Sequence, residues 1–327
     1  MTEPWGTAPD GTEVTRVTLE RDGMTARILT YGATLQDLRM AGHAAPLVIG
    51  FDSLAPYLGD GKYFGAIVGR YAGRIAGAEA TIDGQHFELD RNALGGHQLH
   101  GGSDGASCRN WTLLEQGADH AVFTDTLPDG HMGFPGTITL RATYRLLPGH
   151  TLEIDLEADT DAPTLCNLTS HNYFALDDSG DLAHHDLQIH AEWYIPVDDT
   201  GIPTEPEGDR PVAGSTFDYR AARSLAENGG VAVIDHCFCT GDRAHVPLRP
   251  VARIASTLSG VAMEVQNTEP GLQVFTASTV RAVPPFSGIA LEPQGWTDAP
   301  HFPNFPSALL TPGEGYLNRT RFVFSAG

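Results

Sequence analysis

Lysine is nearly missing from this chain. Lys62 is the only one in 327 residues, and every other cationic side chain is an arginine. With 20 Lys+Arg against 41 Asp+Glu, the formal net charge is −21. So acidic a surface repels nucleic acid and anionic membranes, and a small neutral ligand becomes the expected partner. Cysteine is scarce too. Cys108, Cys166, Cys237 and Cys239 are too few to staple a chain of this length, and no CxxC pair occurs. Cys237 and Cys239 flank Phe238 and read as small buried hydrophobes on one face of a strand. No apolar run is long enough to cross a membrane, and Met1–Gly11 lacks the basic and apolar regions of a secretory signal. A cytoplasmic protein is expected.

Helical periodicity is also sparse. Only Tyr219–Asn228 reads as a helix. The dominant period is two. Ile138, Leu140, Ala142, Tyr144 and Leu146 alternate with threonines and arginines, Pro148-Gly149 turns the chain, and Leu152, Ile154, Leu156 and Ala158 alternate with acidic residues. That is a β-hairpin with one buried and one charged face. Met24, Ala26 and Ile28 follow the same rule, as do Leu187, Ile189, Ala191 and Trp193, then Val261, Met263 and Val265, then Leu272 and Val274. Many short strands, with 37 glycines and 22 prolines between them, predict an all-β fold, a large antiparallel sandwich or barrel. No linker or repeat divides it, so residues 1–327 are expected to form a single β domain.

Several stretches break the alternation. In Asn167-Leu168-Thr169-Ser170-His171-Asn172-Tyr173-Phe174, polar groups crowd one histidine beside two aromatics. That mixture suits a polyhydroxylated ligand, with hydrogen bonds to hydroxyls and a ring against C–H groups. His100 lies between glycine pairs, as a ligand-binding or a surface histidine. His97 and His100 are three apart, but no second pair at metal-ligand spacing accompanies them. Glu292 ends an apolar run, either used in a site or solvated. Asp235 is a ligand-binding carboxylate or a turn residue. Gln273 points opposite Leu272 and Val274, toward solvent or a cleft. Trp296, His301, Phe302 and Phe305 are expected to wall a sugar pocket. The loops Trp193–Pro211 and Trp296–Asn304 are expected to select the sugar, and Thr204–Pro211 reads as a surface loop.

Together these motifs resemble the aldose 1-epimerase (galactose mutarotase) family. Gly69-Arg70-Tyr71-Ala72-Gly73-Arg74-Ile75 is similar to its arginine motif. Leu99-His100-Gly101-Gly102, Asn167-Leu168-Thr169-Ser170-His171, Asp235-His236-Cys237, Gly271-Leu272-Gln273-Val274, Leu291-Glu292-Pro293-Gln294 and Asn304-Phe305-Pro306-Ser307 follow in the family's order. The resemblance implies a β-sandwich with an open cleft. It implies an isomerase that interconverts the anomers of a free aldose, without cofactor or metal. By position, His171 would be the general acid and Glu292 the general base, with Arg74, His100, Asn172, Tyr173, Asp235 and Gln273 binding the sugar. Galactose, glucose, xylose and arabinose fit the motifs alike, and a monomer or homodimer is expected. Relatives usually carry asparagine where this chain has Gly73, which implies altered sugar preference or weaker binding, with Asn172 as a partial substitute.

Two other classes use the same residues differently. A non-catalytic carbohydrate-binding sandwich would need no acid–base pair. A glycoside hydrolase would pair Asp235 with Glu292 and leave His171 without a role. The mutarotase reading predicts a bell-shaped pH profile, its acidic limb from Glu292 and its basic limb from His171.

Overall fold

The computed structural model describes residues 1–205, 208–227, 229–242 and 247–326. Two large antiparallel sheets face each other. The first has nine strands, in the spatial order Thr112–Gln116, His120–Leu127, Ile138–Leu147, Thr151–Thr160, Tyr316–Ser325, Ala262–Asn267, Arg249–Ser256, His185–Ile189 and Arg223–Ser224. The second has six, in the order Tyr173–Phe174, Ile289–Gln294, Gly271–Phe275, Asp235–Cys239, Trp193–Ile195 and Arg210–Pro211. An N-terminal four-stranded meander, Thr2–Thr7 to Thr34–Met40, adds Val17, Leu19, Ala26, Leu35 and Leu38 to the same core.

Period-two patterning fixes which side of the six-stranded sheet is dry. Phe174, Phe238, Leu272, Val274, Ile289 and Leu291 all enter the main core. Tyr173, Asp235, Gln273, Phe275 and Glu292 therefore point to the opposite side, because successive side chains in a strand alternate. A slip of one residue would bring Glu292 into the core and Leu291 out of it. Each buried leucine is worth roughly 1.5–3 kcal/mol, so the register is strongly specified.

The predicted hairpin forms in the expected register, with Leu147 opposite Thr151 and Leu140 opposite Ala158. Its charged face is not solvated as expected, since Glu153 and Asp155 are both buried. Arginines from this strand pair and the next close over them. Arg319 reaches Asp155 with Nε at 2.6 Å and Nη2 at 2.7 Å, Arg145 reaches it at 2.7 Å, and Arg321 Nε lies 2.7 Å from Glu153. The guanidiniums cover the carboxylates while their own outer edges stay wet.

Two other expectations change. Tyr219 to Glu227 contains no helix; residue 228 lies outside the described residues. Tyr219 and Leu225 are buried against the main core, and Arg223–Ser224 adds an edge strand beside Leu187. The extended form buries both side chains and gains ladder hydrogen bonds, which outweighs a weak helical pattern. The run from Leu187 to Trp193 is not one strand either. It leaves the nine-stranded sheet after Ile189, and Trp193 opens a strand of the other sheet.

Burial raises the Asp155 carboxyl, but hydrogen bonds and charge from Arg319 and Arg145 outweigh it, and the group lies below its usual range. Its stabilising contribution is therefore present above the unfolded pKa of about 3.9 and is lost as pH falls through the folded value. Asp155→Asn should cost roughly 2–3 kcal/mol in denaturant unfolding at pH 7, less than a fully buried pair because the arginines are partly wet. The difference from the parent protein should shrink below about pH 4.

Candidate active site

The open face of the six-stranded sheet carries a row of polar side chains. Cys237, Gln273 and Glu292 are directly opposite one another on three neighbouring strands. Asp235 lies one step along on the same face, and its Oδ1 accepts a 2.7 Å hydrogen bond from Gln273 Nε2. The side of the strand that carries Gln273, open from sequence, is thus the cleft. The neighbouring strand Tyr173–Phe174 sets Tyr173 opposite Ala290.

His171 occupies a break in the sheet. Thr169–Ser170 pairs with Ile67–Val68, and Tyr173–Phe174 pairs with Ile289–Gln294. Between them, the His171 amide donates to Ala66 O at 2.9 Å, and its carbonyl accepts from Gly65 at 2.9 Å. The ring is held beside Tyr173, with centroids 4.9 Å apart and planes 24° apart, and beside Tyr63 at 5.9 Å and 11°. Its Nε2 lies 3.5 Å from Glu292 Oε1.

A third element closes the cavity. Arg74–Ile75 and Gln98–Leu99 form a two-stranded ribbon. His100 follows it with φ +52°, then Gly101 at +85° and Gly102 at +103°. A Cβ on Gly101 would lie 1.9 Å from Gly69 O, so glycine is obligatory there. His100 and Gly73 clasp each other. The His100 amide donates to Gly73 O at 3.0 Å, and the Gly73 amide donates to His100 Nδ1 at 3.2 Å. A neutral His100 then carries its hydrogen on Nε2. Gly73 has φ +79°, and a Cβ there would come 3.2 Å from Gln294 Nε2. The arginine motif also divides its labour. Arg70 is buried and donates to Pro135 O, Gly136 O and Thr164, whereas Arg74 lines the cavity. Asn167 locks this motif to the end of the Ile289–Gln294 strand, donating to Ala72 O and accepting from the Gly295 amide.

The cleft holds a cavity of about 200 Å³ lined by Arg74, His100, His171, Tyr173, Asp235, Gln273 and Glu292. That is below the ~300–1,000 Å³ typical of drug-sized sites and fits a small ligand. Seven of the eight expected residues thus converge. Asn172 does not. It is fully buried and donates to Ser170 Oγ at 3.1 Å, away from the lining, so it cannot substitute for a polar handle at position 73. Alternation explains this, because Asn172 points opposite to its neighbours on either side. The aromatic wall is also not the expected one. Trp296 and Phe305 pack into a separate apolar cluster with Ile195 and Cys237, leaving Thr297 as that loop's contribution to the lining. The aromatic surface comes from Tyr63, Phe64, Tyr173 and Phe275. Phe275 shares its parity with Gln273 and was open to inference; Tyr63 sits in a loop with no periodicity to betray it. Beside it, the Lys62 ammonium lies 4.7 Å from the Tyr63 ring centroid.

Burial dominates the electrostatics. It pushes His171 down to about 4. It pushes Glu292 well above the usual carboxylate range, helped by the like charge of Asp235 and opposed by Arg74. Asp235 is raised by burial, against Arg74 and its hydrogen bond from Gln273. His100 is held well below its usual value by burial first, then by His171, Arg74 and Lys62. Burial thus favours the neutral form of both facing groups, raising the Glu292 carboxyl and lowering the His171 imidazole. This reverses the limb assignment expected from sequence. His100, His171 and Glu292 offer ligand atoms within 4.8 Å of one another, the trio among the described residues that could hold a metal ion.

The sequence profile of the aldose 1-epimerase family matches residues 15–323. The galactose mutarotase of Sus scrofa is 36% identical over 341 residues, spanning 98% of this chain and 97% of the relative. The aldose 1-epimerase of Escherichia coli (strain K12) is 33% identical over 344 residues, spanning 98% and 97%. Among solved structures, an aldose epimerase homologue from C. elegans superposes with a TM-score of 0.87 at 28% identity, covering 95% of this chain and 98% of the other. The galactose 1-epimerase of Lactobacillus acidophilus NCFM gives 0.86 at 26%, covering 100% and 98%. With a family match over residues 15–323 and full-length relatives above 30% identity, the chain belongs to the aldose 1-epimerase family.

Proposed function

We propose that the cavity interconverts the α and β anomers of a free aldose, with Glu292 as base and His171 as acid. The observation that carries this is the 3.5 Å approach of His171 Nε2 to Glu292 Oε1 inside a cavity of about 200 Å³. The anomeric hydroxyl and the ring oxygen share one carbon, so their proton acceptor and donor must also be neighbours. Glu292 takes the anomeric proton as imidazolium His171 gives one to the ring oxygen, and the C1–O5 bond breaks. The aldehyde turns about C1–C2 and presents its other face. Closure returns the proton from the C5 hydroxyl to His171, and Glu292 gives its proton to the carbonyl oxygen. The pair ends as it began, and no cofactor is consumed.

Arg74 and the Nε2–H of His100 offer donors to the sugar, Asp235 accepts from its hydroxyls, and Gln273 holds Asp235 in place. Tyr173 supplies a ring face. Several relatives are named for galactose, which makes galactose and glucose the first substrates to try. We read the chain as one cytoplasmic domain acting as a monomer or homodimer. A glycoside hydrolase built on Asp235 and Glu292 would leave unexplained why a histidine faces Glu292 across the cavity.

Polarimetry on freshly dissolved α-D-galactose and α-D-glucose tests the reading. Added protein should accelerate the change in rotation. His171→Asn should lower kcat by roughly 10²–10⁴-fold, with KM changed only a few-fold. Unaltered turnover in that variant would remove His171 from the acid role. The pH profile should be bell-shaped. The acidic limb marks a second proton entering the pair at His171 near pH 4, and the basic limb marks loss of the last proton from Glu292.

A stability consequence follows from the raised Glu292 carboxyl. The unfolded chain ionises first, so stability falls as pH rises from the unfolded pKa through the folded one. Glu292→Gln should abolish turnover and raise stability by roughly 1–2 kcal/mol at neutral pH. Thermal unfolding should show this gain widening with pH and vanishing near pH 4.

A further inference from the structure

His97 is absent from the cavity lining, yet its imidazole is fully committed. Nδ1 accepts from the Gly77 amide at 2.9 Å, and Nε2 lies 3.1 Å from Thr200 Oγ1. Thr200 Oγ1 already gives its hydrogen to Asp198 Oδ1 at 2.6 Å, so it accepts from His97 Nε2–H. Asp198 Oδ1 also caps the amides of Thr200 and Ile202, at 2.8 and 3.2 Å. The backbone closes the same turn, with the Gly201 amide donating to Asp198 O and the Asp198 amide donating to Ile202 O, both at 2.9 Å. The Thr200 and Ile202 amides and the Thr200 hydroxyl thus all bond Asp198 Oδ1, and the side chain that ties this short turn to the ribbon bearing Arg74 and His100 is His97, so freeing Thr200 Oγ1 from His97 lets the turn open more readily.

Gly201, at φ +81°, is where this turn meets the cavity. A Cβ on it would lie 2.6 Å from Arg74 Cζ and 2.7 Å from both Nε and Nη1. Near-equal distances to three atoms of one plane place Gly201 over the face of the guanidinium, not at its edge. The Arg74 Nε is buried without a partner among the described residues, so packing, not hydrogen bonding, orients this group there.

We propose that His97 is a positioning residue for sugar binding: through Thr200 it latches the turn onto the ribbon, and Gly201 then fixes the plane of the Arg74 guanidinium and hence the N–H edge offered to the sugar. The inference rests on the mutarotase reading for its kinetic arm only. Rigid planar donors recognise a hydroxylated ring by orientation, so loosening the latch weakens binding more than chemistry.

Three variants and two readouts test this. Hydrogen exchange at the Thr200, Gly201 and Ile202 amides needs no sugar. His97→Ala and Thr200→Val should each speed it at least tenfold, and equal exchange in both variants and the parent would overturn the latch whatever the enzyme's substrate. Mutarotation of galactose gives the second readout. Both variants should raise KM about three- to tenfold with kcat within twofold, the double variant should do no more than the worse single, and His97→Gln should recover part of the loss. Gly201→Ala should raise KM at least as much. Unchanged KM, or losses that multiply in the double variant, would refute the coupling. A parent protein that accelerates no aldose would instead refute the mutarotase reading and leave the exchange test to decide on the latch.

Discussion

Everything at the cleft depends on holding a carboxylate where water cannot solvate it. Glu292 is 1% exposed, on a strand whose alternate residues belong to the main core. An isolated buried charge costs far more than one domain can spare, so the group must be neutral or find a counter-charge nearby. Here both are provided. Burial and the like charge of Asp235 push Glu292 toward its neutral form, while Arg74 and the adjacent His171 imidazole stand within reach as counter-charges. His171 Nε2 and Glu292 Oε1 stand 3.5 Å apart, close enough to reach two oxygens bonded to one carbon. The surrounding architecture, from the Asn167 lock to the His100–Gly73 clasp, keeps the two groups at that spacing.

The supporting elements come from three different parts of the fold. The six-stranded sheet supplies Asp235, Gln273 and Glu292 by register alone. The break between two short strands supplies His171. The glycine-rich ribbon supplies Arg74 and His100, at the cost of left-handed backbone at a non-glycine residue. Rigid strands thus set Glu292 and Asp235, while the strained segment sets Arg74 and His100. Such a division lets a binding preference change in the loops without disturbing the proton chemistry.

The all-β class and the hairpin from Ile138 to Thr160 were legible because period-two alternation is a local signal. The parity of Gln273 was legible too, but not the side it faced, which depends on which sheet packs against Leu272 and Val274. The burial of Glu153 and Asp155 was hidden because two of their three arginine partners, Arg319 and Arg321, arrive from a strand more than 160 residues away. Tyr63 was hidden because it lies in no periodic element. Asn172 was misread because a motif places residues in order along the chain, whereas backbone geometry decides which of two neighbours reaches the cavity. Trp296 was misread for a related reason: its place in the chain near Glu292 does not say that its ring packs away from the cavity, against Ile195, Cys237 and Phe305.

One feature of the composition takes on a spatial meaning. Burying carboxylates under bidentate arginine clamps, as at Asp155, needs guanidinium geometry, and the chain has used arginine for all its cations but one. The exception, Lys62, adjoins Tyr63 on the cavity wall. The molecule therefore carries a single side-chain primary amine, and it stands beside the sugar site. An amine-selective fluorophore or tether would attach there and, apart from the N-terminus, nowhere else, giving a chemical handle next to a residue of the cavity wall without any engineered residue.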